Sequence, residues 1–219
     1  MGVAIRRATE DDRADLVRLL DVAFMDDPVS GWVFPGLAHR RRTHAALMAA
    51  FVDISLSEGY VDITEDGAAA ALWLSVPAAP GGTDGTADPD PDPDADPDLD
   101  PDTHADDGPA QLRAAVDPDN ERVEEIGRLT SAAHPRDRAH EYLWMIAVEP
   151  ERQGEGLGTA LMTPVLDRCD QDGAPAYLEA SSARSRVLYE RLGFTCTGSG
   201  IALPDGPTMW PMWRDPQGN

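Results

Sequence analysis

Apolar residues return along this chain at two spacings, one helical and one extended. Over 9–24, Leu16, Leu19, Leu20 and Ala23 share a helical face, and Thr9 with Asp12 three residues on supplies a reciprocal cap at its start. The run Asp-Asp-Pro-Val-Ser-Gly over 26–31 breaks that helix. A second helix is expected over 38–57, with Leu47, Phe51 and Ile54 on one side, His39 and His44 on its solvated side, and Gly59 at its end. Strands are expected over 3–7, 60–64 and 69–76, the last two joined as a hairpin through Glu65-Asp-Gly67. A helix over 120–133 follows. The segment 142–148, Tyr-Leu-Trp-Met-Ile-Ala-Val, is apolar on both faces, as a central strand must be. A helix over 156–170, a strand over 176–180, a helix over 184–192 and strands near 195–203 and 208–214 complete the set. This order predicts an α/β (α+β) fold, a mixed central sheet with helices on both faces.

The segment 81–109 departs from both spacings. It holds eleven Asp and no Arg, and alternates Asp with Pro from Asp88 to Asp102. Such a stretch has no apolar area to bury, and each Pro removes a backbone donor. It reads as a solvated, extended acidic insert between two parts of one domain, 1–80 and 110–216. The chain of 219 residues is long enough for one sizeable core without disulfides or metal. Half of its net charge of −22 belongs to the insert, and the remainder is still acidic, which disfavours nucleic acid as a partner and suits a cationic one. All 18 basic residues are arginine. Cys169 and Cys196 lack metal spacing and read as reduced thiols. With no leader-like start and no apolar run of spanning length, the expected location is cytoplasmic, away from the membrane.

The candidate chemistry lies where the strand 142–148 runs through Glu-Pro-Glu-Arg152 into Gln153-Gly-Glu-Gly156-Leu-Gly158 and a helix beginning at Thr159. The first amides of a helix lack internal acceptors and sit at the positive end of its dipole, so a strand leading there builds an anion site. Glycine lets a phosphate approach the backbone. No Gly-Lys-Ser/Thr ending follows, which removes a nucleotide-triphosphate loop. The spacing is not Gly-x-Gly-x-x-Gly either, although Glu179 on a later strand leaves a dinucleotide site open. A plain strand-to-helix turn is the remaining alternative.

Gln153-x-x-Gly156-x-Gly158 after an apolar strand resembles the acetyl-coenzyme A loop of the GNAT acyltransferase superfamily. Tyr177-Leu-Glu-Ala-Ser181 followed by Arg184-Ser-Arg-Val-Leu-Tyr189-Glu-Arg-Leu-Gly-Phe194 is similar to its second signature, in the branch of the puromycin N-acetyltransferases. The resemblance implies that the strands 142–148 and 176–180 splay and that acetyl-CoA enters the gap. Pantetheine would then pair with the backbone of Ile146, Ala147 and Val148. The pyrophosphate would lie on the amides of Gln153, Gly154, Glu155, Gly156, Leu157, Gly158 and Thr159, with Arg152 adding charge. Ser185 stands where relatives carry a cofactor-contacting Asn, and a hydroxyl has less reach than an amide.

The implied reaction is direct transfer of acetyl to a small-molecule amine, without metal. The N–H of Val148 is the expected oxyanion donor, and Tyr189 the acid for the leaving sulfur. Glu179 and Glu141 are the candidate bases, and Asp26 and Asp27 either shape the acceptor pocket or are solvated. His134 is expected in a turn. Trp32 and Trp144 are the expected walls of the acceptor pocket. A peptide or protein acetyltransferase and a catalytically silent acyl-CoA-binding module are the alternatives. A homodimer is compatible with the sequence.

Overall fold

Eight strands form one sheet in a computed structural model that describes residues 3–79 and 107–218. The strands are β1 (Ile5–Arg7), β2 (Tyr60–Thr64), β3 (Ala69–Val76), β4 (His140–Val148), β5 (Ala176–Ala180), β6 (Thr195–Cys196), β7 (Ile201–Ala202) and β8 (Thr208–Arg214). Their order is β1-β2-β3-β4-β5-β8-β6, with β7 paired to β8 off that path. Every pairing is antiparallel except β4 with β5. Of the expected insert over 81–109, residues 81–106 lie outside the described residues. Its last residues begin a helix.

The helices are α1 (Arg13–Phe24), α2 (Pro28–Val33), α3 (Leu37–Glu58), α4 (Gly108–Val116), α5 (Glu121–Ala133), α6 (Leu157–Asp172) and α7 (Ala183–Arg191). Two-residue alternation along the strands feeds two cores, one on each face of the sheet. Ala70 and Leu72 of β3 join Leu16 and Leu20 of α1, Met48 and Val52 of α3 and Val123 of α5. Ala69, Ala71 and Trp73 join Leu161, Met162 and Val165 of α6, together with Tyr189 and Phe194. Thus α1 to α5 cover one face, and α6 and α7 the other.

The local signals explain the ends of these elements. Asp12 returns a carboxylate bond to the Thr9 amide at 2.9 Å, and a short 3₁₀ turn precedes α1. Gly59 ends α3 where a Cβ would collide with the Trp73 carbonyl, so only glycine admits β3 that closely. The expected break over 26–31 contains α2 instead. Asp27 caps it by accepting from the Val29 amide at 2.8 Å, and Pro28 fills the first turn, where its missing N–H costs nothing. Buried Arg214 of β8 grips Asp170 of α6 through two 2.7 Å bonds and donates to the Leu192 carbonyl at the end of α7. This fork fastens the last turns of both helices to the sheet.

Candidate active site

The parallel pairing of β4 with β5 covers only three residues, Glu141, Tyr142 and Leu143, against Ala176, Tyr177 and Leu178. Beyond Leu143 the two strands part, while β4 stays paired with β3 to its end. At the point of parting β4 carries one extra residue. Leu72 faces Met145 and Trp73 faces Leu143, so Trp144 bulges. A bulge inverts the alternation beyond it. Leu143, Ile146 and Val148 pack toward α6, whereas Met145 and Ala147 pack toward the α1–α5 face.

The same alternation governs the backbone. Glu149 donates its N–H to Ala68 on the β3 side, so the N–H and C=O of Val148 point the other way, into the gap. The Gln153 side chain reaches the Val148 carbonyl there at 3.4 Å. Ile146 shares this orientation. Ala147 does not: its polar groups face β3, and its side chain lies in the core. The expectation of a pantetheine contact at Ala147 is corrected on that ground.

At the end of β4 the chain turns through Gly154 and Gly156, with φ of 93° and 84°, and α6 begins. Both are left-handed conformations that side chains resist, and the space above each glycine is clear. Gly158 lies just inside the helix, near Leu188 and Ile146. Open space over successive amides at the start of a 16-residue helix fits a pyrophosphate. Arg152 already pairs with Asp66 at 2.7 Å and Glu155 at 2.8 Å, which offsets the charge expected of it. Ser185 bonds Ser182 in the cap of α7 and lines the same space. Arg184 and Arg191 of α7 also line this cavity, although no motif pointed to them.

One cavity of about 1140 Å³ runs from the glycine loop past the parted strands to a chamber under α1, α3, α4 and α5. Met48, Phe51, Leu112, Ile126 and Trp144 line the chamber, and Phe51 meets Trp144 edge-on at 4.7 Å. Tyr189 is buried at the junction, and burial with Asp27 nearby pushes its hydroxyl pKa up. Asp27 lines the same junction and accepts from Ser181 at 2.7 Å. Burial raises its pKa. Glu179 lines the chamber with its side chain 3% exposed, accepts from the Tyr142 hydroxyl at 2.7 Å, and is pushed up to about 7 by burial.

Two expected site residues stand elsewhere. Glu141 neighbours Tyr142 and therefore faces the opposite side of β4, where its carboxylate accepts from Tyr60 and Ser75, both at 2.7 Å. It does not reach the cavity. Trp32 is a core residue, its indole N–H held by the Pro204 carbonyl at 2.7 Å. One histidine also differs from expectation. His44 is fully buried, with Nδ1 at 2.7 Å from Asp21 and Nε2 at 3.0 Å from Ser30. His134 caps α5 and lines the cavity, its Nδ1 4.0 Å from Glu179 Oε1.

Parted parallel strands, a glycine turn at the end of one and a buried tyrosine nearby are the arrangement that the resemblance of the two sequence motifs implies. The chain belongs to the acetyltransferase (GNAT) family, whose model matches residues 84–194. An uncharacterised N-acetyltransferase of Schizosaccharomyces pombe is 41% identical over 59 residues, 27% of this chain and 24% of that one. A mycothiol acetyltransferase of Brachybacterium faecium is 36% identical over 64 residues, 28% of this chain and 19% of its own length. The chain thus spans a quarter or less of these relatives. A crystal structure from Corynebacterium glutamicum, described as histone acetyltransferase HPA2 and related acetyltransferase, superposes with a TM-score of 0.68 at 25% identity. That match covers 99% of this chain and 98% of the other. The splayed, helix-flanked sheet expected from the sequence is the sheet observed.

Proposed function

We propose that this N-acetyltransferase moves the acetyl group of acetyl-CoA to the amine of a small molecule. The observation that carries the reading is the chamber beyond Tyr189. It is walled by Met48, Phe51, Leu112, Ile126 and Trp144, and two carboxylates, half-buried Asp27 and buried Glu179, line the same cavity. Apolar walls with a few polar groups suit a compact organic ligand, and the carboxylates suit its ammonium group. The relatives carry names for different acceptors, mycothiol in one and histone in another, so the walls carry the assignment.

Acetyl-CoA would be held by the amides of residues 153–159 and by the outward backbone of Ile146 and Val148, and it supplies the thioester. The Val148 N–H is directed at the gap, where the thioester oxygen gains charge. Glu179 accepts the ammonium proton, since a carboxylate with a midpoint near neutrality is matched to that transfer. Tyr189 stays protonated at working pH and donates to the departing sulfur. Carbon–sulfur cleavage and carbon–nitrogen formation leave an amide, a thiol and one proton released to solvent.

The test is acetyl-CoA-dependent thiol release with puromycin, tryptamine, spermidine and a lysine-containing peptide, followed by mass analysis of each acceptor. One acetyl gained on a small amine supports the reading. Acetylation of the peptide alone, or tight coenzyme A binding without turnover on any amine, overturns it.

A further inference from the structure

Glu179 Oε1 is buried and has no hydrogen-bond partner among the described residues. His134 Nδ1 stands 4.0 Å from it. What that nitrogen presents is fixed two residues away. His140 Nδ1 lies 2.8 Å from the Arg138 carbonyl, and a carbonyl only accepts, so His140 carries its proton on Nδ1. A neutral His140 therefore offers a bare Nε2. His134 Nε2 is 3.0 Å from it and must donate. The lone pair of a neutral His134 is then left on Nδ1, facing Glu179 Oε1.

We propose that His134, held in its Nε2–H tautomer by His140 and the Arg138 carbonyl, is the positioning residue that makes Glu179 a base, by accepting a hydrogen bond from the O–H that Glu179 gains at Oε1. The proposal rests on Glu179 acting as the base. A bare ring nitrogen beside a carboxylate repels it, whereas beside a carboxylic acid it becomes a hydrogen-bond acceptor. When the ammonium gives up its proton, the carboxylate becomes O–H, the amine becomes neutral, and Oε1–H turns toward Nδ1. A closure of about 1 Å completes that bond, and no charge remains on the pair. Tyr142 keeps donating to Oε2 in both states.

The surroundings agree. His134 packs edge-on against Tyr142 and Tyr177, with centroids 4.7 and 4.8 Å apart, and His140 packs against Trp213. Arg136 and Arg138 lie close on the preceding loop and oppose imidazolium formation, while Asp137 and Glu141 act the other way on His140. The Tyr177 hydroxyl also stands by this carboxylate and favours its charged form, against the burial that raises the Glu179 pKa. Burial pushes His134 down to about 4, so the imidazole is neutral where the carboxyl titrates.

The test is nuclear magnetic resonance on the full chain, with ¹⁵N-histidine to read tautomers and ¹³C-labelled Glu carboxyls to read the Glu179 midpoint. His134 is expected as Nε2–H and His140 as Nδ1–H. His140→Phe frees His134 to place its proton on Nδ1 and donate to the carboxylate, which lowers the Glu179 midpoint by about one pH unit or more. His140→Gln, whose amide oxygen still accepts from Nε2–H, keeps it near the wild-type value. A proton on His134 Nδ1 in the wild type, or an unmoved midpoint in His140→Phe, overturns the proposal. Where His140→Phe does not fold, the wild-type tautomers decide. None of these readings needs an acceptor amine. Full turnover in Glu179→Gln with the spectra as expected would instead remove Glu179 as the base.

Discussion

Glu179→Gln converts the buried carboxyl into a permanent copy of its protonated form. The Gln carbonyl accepts from Tyr142 as Oε2 does, and its NH₂ group can turn to His134 Nδ1. The folded-state midpoint of Glu179 is about 7, raised from 4.5. The stability linked to this group is therefore complete below about pH 4.5 and is lost as pH rises through about 7. At about 1.4 kcal/mol per pH unit, the loss amounts to about 3 kcal/mol. The glutamine cannot ionise and escapes it. Relative to wild type, the variant should gain about 3 kcal/mol between about pH 4.5 and 7.5, or roughly 6–12 °C in melting temperature for a chain of this size. His134 runs the other way. Its midpoint is pushed down to about 4 from 6.5, so its contribution is present above about 6.5 and falls as pH drops. Its loss comes as pH falls and that of Glu179 as pH rises, so a difference between the two proteins that grows with pH belongs to Glu179. Calorimetric melts of both proteins from about pH 4.5 to 8.5 make the measurement. Parallel curves would refute the reasoning, because they would mean that the carboxyl titrates alike in the folded and unfolded chain.

Three further outcomes are expected. Tyr189→Phe should lower turnover by about 10²- to 10⁴-fold and leave coenzyme A affinity by calorimetry unchanged, and unaltered turnover would remove it as the acid. Gly156→Asp, placing a side chain and a negative charge at φ of 84° over the amides, should abolish coenzyme A binding, and normal affinity would sink the cradle assignment. Arg214→Ala should destabilise by about 2 kcal/mol in denaturant unfolding, because it leaves Asp170 and the Leu192 carbonyl without their partner; an unchanged midpoint would show that solvent replaces the fork.

The sheet and its long helices were legible because alternation and helical spacing survive in single segments. What escaped depends on partners distant in the chain. His44 looked solvated because Leu47, Phe51 and Ile54 mark another face of α3, yet Asp21 and Ser30 receive it on a side that α1 and α2 cover. His134 meets Glu179 only through the register that pairs Tyr142 with Tyr177. Helix α2 was hidden because Pro28 and Gly31 read as breakers, although Pro in a first turn behind a capping Asp is a starting signal. Glu141 was separable from the site in principle. Adjacent residues of a paired strand face opposite ways, so a carboxylate at Glu141 leaves the sheet on the side away from the Tyr142 hydroxyl that meets Glu179.

The bulge at Trp144 gives β4 something like a reading frame. Before it, Leu143 belongs to the α6 side and Tyr142 to the other; after it, even-numbered residues take the α6 side and odd-numbered ones the chamber side. Substitutions along one strand should accordingly sort by parity, those at Ile146 and Val148 altering the response to the donor and those at Met145 the response to the acceptor. Deleting Trp144 would leave those later assignments in place, because Leu143 would then run into Met145 in plain alternation with Met145 still opposite Leu72. The extra residue therefore serves the place where β4 and β5 part and not the register, and its loss would relax the local bend while each later side chain kept its side.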